Sequence, residues 1–223
     1  MERYYNDKLA AERLRKVYEI APPRVQQYLS AEIEHVTNRI PSGATVLELG
    51  CGYGRVLLPL SFLAGELYGI DTSLASLRLA RTCLAGKKDV YLACMDAGGL
   101  AFRDRSFDVV VCIQNGISAF HVDQRRLIEQ SVRVTRPGGL ILFSSYSERF
   151  WDERLNWFEL QAENGLLGEI DYARTGNGAI VCKDGFTAST VDAKAFRKLT
   201  DGLGARVDIS EVDRSSIFCE IRL

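Results

Sequence analysis

The chain has 223 residues, 47% hydrophobic and 26% charged, a composition that excludes a disordered chain and can bury one substantial core. With 28 basic and 29 acidic residues the net charge is −1, which excludes the large basic excess of a duplex-binding protein. The short clusters Arg103 with Arg105, and Arg125, Arg126, Arg133 and Arg136, read as solvated faces, so no nucleic-acid partner is expected.

The first forty residues read as helix. Val25, Leu29, Ile33, Val36 and Ile40 recur at helical spacing, and Pro22-Pro23 separates this helix from a shorter one over 10–18. Pro41-Ser42-Gly43 ends the helical region. Short apolar runs then alternate with helices: a strand over 44–49, a helix over 55–63 and a second strand over 66–70. Asp71-Thr72-Ser73 offers cap chemistry for a helix carrying Leu74, Leu77 and Leu84, with Gly86 as its stop. Strands follow at 90–93 and 107–113. Asp123 begins a helix whose expected buried face is Leu127, Ile128, Ser131 and Val132, and Pro137-Gly138-Gly139 turns the chain into a fifth strand over 140–145. Strands alternating with helices at this spacing predict a parallel sheet covered on both faces.

Residues 146–190 break the rhythm with a helix near 150–163 and a hairpin signal at Asn177-Gly178. Asp192 caps a helix bearing Phe196, Leu199 and Leu203, and two strands over 206–212 and 216–221 close the chain. The expected organisation is N-terminal helices over 1–42 that cover a cofactor site, a cofactor-binding core over 43–145, a substrate-side insertion over 146–190, and a helix with a strand pair over 191–223. No two of the six cysteines form a C-x-x-C pair, so no metal site is expected, and several sit in apolar runs that suit a reducing compartment. The N-terminus lacks the apolar stretch of a signal peptide, and no run approaches the ~18 apolar residues of a membrane span. A cytoplasmic protein without membrane contact is expected.

The chemistry concentrates in Glu48-Leu49-Gly50-Cys51-Gly52-Tyr53-Gly54-Arg55, where a strand ends in three alternating glycines and a helix follows. At the carboxyl end of a first parallel strand, such a bare turn lies where open α/β sheets bind ligands. Asp71, about twenty residues on, ends the second strand, where a carboxylate can accept from both hydroxyls of a ribose. These residues imply an adenosine-containing cofactor and leave a dinucleotide open. The spacing G-x-G-x-G, with Arg55 where a dinucleotide fingerprint has its third glycine, weighs against the dinucleotide.

From residue 44 to 145 the chain resembles the class I S-adenosylmethionine (SAM)-dependent methyltransferases. Glu48 to Gly54 is similar to their E/D-x-G-x-G-x-G signature, and Gly69-Ile70-Asp71-Thr72-Ser73 to their second-strand segment. Cys94-Met95-Asp96-Ala97-Gly98-Gly99-Leu100-Ala101-Phe102 resembles their D-A-x-x-L-P-F segment, with Ala101 in place of proline. Ser106-Phe107-Asp108-Val109-Val110 and Arg133-Val134-Thr135-Arg136-Pro137-Gly138-Gly139 match two further segments in order. The resemblance implies a Rossmann-like α/β three-layer sandwich with a seven-stranded, mostly parallel sheet, order 3-2-1-4-5-7-6, the last strand antiparallel. It implies S-adenosyl-L-methionine as cofactor, held by Glu48, Gly50, Cys51, Gly52, Tyr53, Gly54, Asp71, Thr72, Asp96, Ala97 and Gln114. Ile113-Gln114-Asn115-Gly116 departs from the N/D-P-P-Y/F of enzymes that methylate nucleobases or glutamine, which weighs against a DNA base or protein amide, while the aromatic insertion over 146–190 favours a small, partly apolar acceptor. Substrate-side candidates are Tyr5, Tyr18, Tyr146, Trp151 and Tyr172, with Tyr4 beside them. His121 is a candidate base, although in-line methyl transfer does not require one. The alternatives are a SAM-binding protein without turnover and a nicotinamide-dependent oxidoreductase.

Overall fold

A computed structural model describes residue 4 and residues 8–223, so the candidate Tyr5 lies outside the described residues. Two helices, Glu12–Glu19 (α1) and Pro23–Thr37 (α2), lead into strand Thr45–Leu49 (β1). There follow Leu57–Leu60 (α3), Glu66–Asp71 (β2), Leu74–Cys83 (α4), Val90–Cys94 (β3), Phe107–Cys112 (β4), Gly116–Ala119 (α5), Gln124–Val134 (α6) and Thr135–Tyr146 (β5). Trp151–Glu163 (α7), Ile180–Val181 (β6) and Thr187–Ala188 (β7) form the insertion, and Ala193–Thr200 (α8), Arg206–Val212 (β8) and Ser216–Arg222 (β9) end the chain.

The main sheet runs β3-β2-β1-β4-β5-β9-β8, and β6-β7 is a separate two-stranded ribbon. Counting only the main sheet's own strands, this is the expected order 3-2-1-4-5-7-6. Six strands of this sheet share one direction and β9 runs antiparallel between β5 and β8. Because successive strand residues face opposite ways, Val46, Val109, Val111, Leu140 and Leu142 pack on one face against residues of α2, α3 and α4. Leu47, Val110, Ile141 and Phe143 pack on the other against α6 and α8. A third cluster joins α1, α2 and α7 through Val17, Tyr28, Leu29, Phe150, Trp157 and Phe158.

Five local expectations change. The helix expected over 55–63 is the single turn of α3, because Gly54 has φ +86° and Pro59 has no N–H to continue the ladder. Pro137-Gly138-Gly139 is a bulge inside β5 and not a turn before it: Phe107 pairs with Thr135, but Val109 pairs with Leu140. Val134 replaces Val132 on the buried face of α6, seven residues along from Leu127. Asn177-Gly178 does make a tight turn, with Gly176 and Ala179 exchanging backbone hydrogen bonds of 2.8 and 2.9 Å. The hairpin is interrupted there because Asp171 accepts from Ala173, Arg174 and Thr175 N–H groups and coils the preceding chain; antiparallel pairing resumes as a bridge between Ile170 and Cys182, and β6 also pairs forward with β7. Of the arginines expected as solvated faces, Arg103, Arg105, Arg126 and Arg136 are exposed, but two are braces: Arg133 donates to the carbonyls of Leu100 and Phe102, and Arg125 to those of Leu199 and Asp201.

Candidate active site

The carboxyl ends of β1, β2 and β4 open onto a cavity of about 380 Å³. Its first half is built on the loop after β1. Gly50 has φ +72°, and a Cβ there would lie 2.4 Å from the Phe120 ring, so only glycine fits. The Gly52 N–H donates to Asp71 Oδ2 (2.9 Å) while the Ser73 N–H donates to Asp71 Oδ1 (2.7 Å). Ser73 itself caps α4 by accepting from the Ser76 N–H, which leaves Asp71 to the glycine loop and the cavity. Burial pushes the Asp71 carboxyl above its usual range, against those N–H groups that hold it down. Thr72, Asp96 and Ala97 line the same half. Asp96 Oδ1 accepts from the Gly98 N–H (2.8 Å), which fixes the turn that carries it.

Below the loop lies a buried polar cluster. Glu48 is 5% exposed, and its Oε2 has no hydrogen-bond partner among the described residues. Burial pushes its carboxyl up to about 8, with Asp71 adding to the rise and Arg55 opposing it. Arg55 lies 4.4 Å under the Tyr18 ring, with Nε and Nη2 unpartnered. Glu32 of α2, wholly buried, accepts from the Gln114 N–H (2.8 Å) and the Ser216 hydroxyl (2.7 Å). Gln114 is held at φ +57°, and its Oε1 accepts from the Tyr18 hydroxyl at 3.4 Å.

The second half of the cavity is aromatic. Tyr18 and Trp157 lie 6.1 Å apart, Trp157 and Phe158 6.0 Å, Phe158 and Phe186 5.9 Å, and Phe186 and Tyr4 4.9 Å. The Trp157 indole N–H donates to the Val17 carbonyl (3.0 Å), tying α7 to α1. Tyr146 and Gln161 complete this half.

Of the expected site residues, the structure gathers Glu48, Gly50, Gly52, Asp71, Thr72, Asp96, Ala97, Gln114, Tyr18, Tyr146 and His121 around one cavity. Gly54 packs against Leu84 and Ala80, Cys51 lies in the core, and Tyr53 stands 6.0 Å from Tyr18; all three shape the loop from outside the cavity lining. Tyr172 is a correction: it is 64% exposed and its hydroxyl donates to Glu159, far from the lining. Trp151 is another, since it stands 5.8 Å from the Arg154 guanidinium on a different side of α7 from Trp157. His121, at φ +52°, is exposed at the cavity rim and has no carboxylate partner among the described residues. Sequence reasoning missed Glu32, Trp157, Gln161 and Phe186. Glu32 did leave a signal, a carboxylate interrupting the apolar stripe of Val25, Leu29 and Val36.

The cavity fits a SAM-like cofactor on its own features: an unpartnered buried carboxylate at Glu48, a side-chain-free loop at Gly50 and Gly52, and a carboxylate at the end of β2. Residues 46–139 match the family model of a methyltransferase domain. The chain is 28% identical over 160 residues to 2-methyl-6-phytyl-1,4-hydroquinone methyltransferase of Synechocystis, covering 66% of this chain and 49% of that protein. It is 31% identical over 180 residues to malonyl-[acyl-carrier protein] O-methyltransferase of Methylococcus capsulatus, covering 78% of this chain and 62% of that one. The matches thus span about half to three-fifths of the length of these relatives. The solved N-methyltransferase NodS of Bradyrhizobium japonicum, in complex with S-adenosyl-L-homocysteine, superposes with a TM-score of 0.63 at 15% identity over 97% of this chain and 98% of that one. The chain carries a methyltransferase domain over residues 46–139 and has the fold of the class I SAM-dependent methyltransferases.

Proposed function

We propose that this protein transfers a methyl group from S-adenosyl-L-methionine to a small acceptor by in-line displacement. The single observation that carries the reading is one continuous cavity, with a glycine loop and carboxylates at one end and a chain of aromatic rings at the other. When bound, the cofactor supplies an already activated sulfonium methyl group and leaves as S-adenosylhomocysteine. In this reading Glu48 meets the amino group of the methionine part, the backbone of residues 50–54 passes close beneath the cofactor, and Asp71 with Thr72 holds the ribose. Asp96 and the Ala97 N–H meet the adenine, and Gln114 stands at the methionine end.

The protein's own work is alignment and exclusion of water. The described part of residues 1–42 covers the cofactor end, residues 43–145 carry the cofactor, residues 146–190 wall the acceptor end, and residues 191–223 complete the sheet. Tyr18 and Tyr146 line the acceptor's path, and no general base is assigned; His121 is the candidate to test. One curated relative is named for a hydroquinone, an acceptor type that suits a ring-lined cavity. We place the protein in the cytoplasm on the strength of six unpaired cysteines, four of them buried, and no described helix is long and apolar enough to cross a membrane.

Two measurements test this. Calorimetry should give binding of SAM and S-adenosylhomocysteine and none of NADH; the reverse pattern would return the oxidoreductase alternative. Incubation with methyl-labelled SAM and fractionated cell extract should place label in the small-molecule fraction. Label in RNA or protein would refute the small acceptor, and binding without any label transfer would favour a non-catalytic SAM-binding protein.

A further inference from the structure

We infer that Gln161 is the polar anchor that selects the acceptor, and that the acceptor is an uncharged ring compound bearing a hydroxyl or carbonyl group. The inference rests on the methyltransferase reading and deepens it. Gln161 is 2% exposed on α7, one helical turn beyond Trp157 and Phe158, so it shares their face and lines the aromatic half of the cavity. Its backbone carbonyl is used, accepting from the Leu166 N–H (2.9 Å), but its side-chain Nε2 has no hydrogen-bond partner among the described residues. Buried side-chain polar groups are nearly always paired, and an orphan facing a cavity points to a group that arrives with a ligand.

The surroundings set the chemistry of that group. Trp157, Phe158 and Phe186 offer ring faces and no charge. The acidic side chains that line the cavity, Glu48, Asp71 and Asp96, stand at the cofactor end. A charged acceptor would therefore be desolvated among neutral amide and tyrosine groups, with no charged side chain among the described residues lining this end, an unfavourable exchange, whereas a phenol or ketone is satisfied by one amide in either orientation.

The test is a titration of the protein saturated with S-adenosylhomocysteine, followed by quenching of tryptophan fluorescence, since Trp157 lines the cavity. The probes are 4-methylphenol, toluene, benzylamine and benzoate. The wild type should bind 4-methylphenol about ten-fold or more tighter than the other three, as expected for one buried hydrogen bond. In Gln161→Met, 4-methylphenol should fall to within about two-fold of toluene, with S-adenosylhomocysteine affinity unchanged and thermal stability equal or higher because an unpaired buried amide is gone. The inference is overturned if Q161M keeps the phenol preference, if a charged probe binds the wild type most tightly, or if no ring probe binds while S-adenosylhomocysteine does. Failure of S-adenosylhomocysteine to bind the wild type strikes the methyltransferase reading instead, and the same probes titrated into the ligand-free protein still decide the role of Gln161.

Discussion

Replacing Glu32 by Gln isolates what a buried carboxylate does at the heart of this fold. Glu32 is fully buried, and burial pushes its carboxyl from an ordinary 4.5 to about 7, against the Ser216 and Ser144 hydroxyls and the Gln114 N–H that hold it down. A carboxyl whose folded value is raised is protonated in the folded chain while already ionised in the unfolded one. Its contribution to stability is therefore fully present below pH 4.5 and is lost as pH rises through about 7. The rise from 4.5 to about 7, at about 1.4 kcal/mol per pH unit, makes the loss about 3 kcal/mol. Glutamine keeps the shape and an oxygen for the Gln114 N–H, and the Ser216 hydroxyl can turn to accept from the new amide. E32Q should consequently be close to wild type at pH 5 and more stable by up to about 3 kcal/mol at pH 8, or roughly 6–12 °C in Tm for a chain of this size. Thermal denaturation of both proteins across pH 5–8 measures the gap directly. A gap that stays constant over that range would refute the link between burial and ionisation at Glu32.

Gly50→Ala puts a methyl group into the Phe120 ring at a left-handed backbone position and should lower S-adenosylhomocysteine affinity at least ten-fold by calorimetry, with a loss of about 1–3 kcal/mol in stability. Asp71→Ala strips the Gly52 and Ser73 N–H groups of their acceptor; affinity for S-adenosylhomocysteine should fall about a hundred-fold, with Asp71→Asn between it and the wild type, by the same measurement. Arg154→Met should destabilise the insertion by about 2–4 kcal/mol, because Arg154 is 1% exposed and donates to the carbonyls of Gly178 (2.9 Å) and Ala188 (2.8 Å). Urea denaturation reads the loss, and limited proteolysis should find cleavage first within 165–190.

The sheet and the glycine loop were legible because each is written in local pattern. Gly50, Gly52 and Asp71 sit at ends of strands whose apolar runs are unambiguous, and β8 and β9 were readable from two runs around a short turn. The bulge in β5 was not legible, since Pro137-Gly138-Gly139 has the composition of a turn and only pairing with β4 distinguishes the two. The acceptor end was read least well because it is made by tertiary contact. Glu32 reaches Ser216 across 184 positions, and nothing local reports that distance. In the insertion, aromatic content was visible but its direction was not. At about 100° per residue, Trp151 stands about 120° around α7 from Trp157, so one tryptophan meets the cavity and the other does not.

The short helix α1 is attached very differently from the strands it covers. The carboxyl ends of β1, β2 and β4 are fixed by the ladders of the sheet, whereas α1 is held over them by packing and by scattered bonds, among them Ala11 to Ser76, Arg13 to the Gly165 carbonyl, Val17 to Trp157 and Tyr18 to Gln114. Leu14 and Tyr18 of this helix line the cavity, so on the proposed reading cofactor and acceptor share one roof. Whatever loosens that roof would, on the same reading, uncover both together, and the indole of Trp157, which belongs to the acceptor wall, is one of its fastenings.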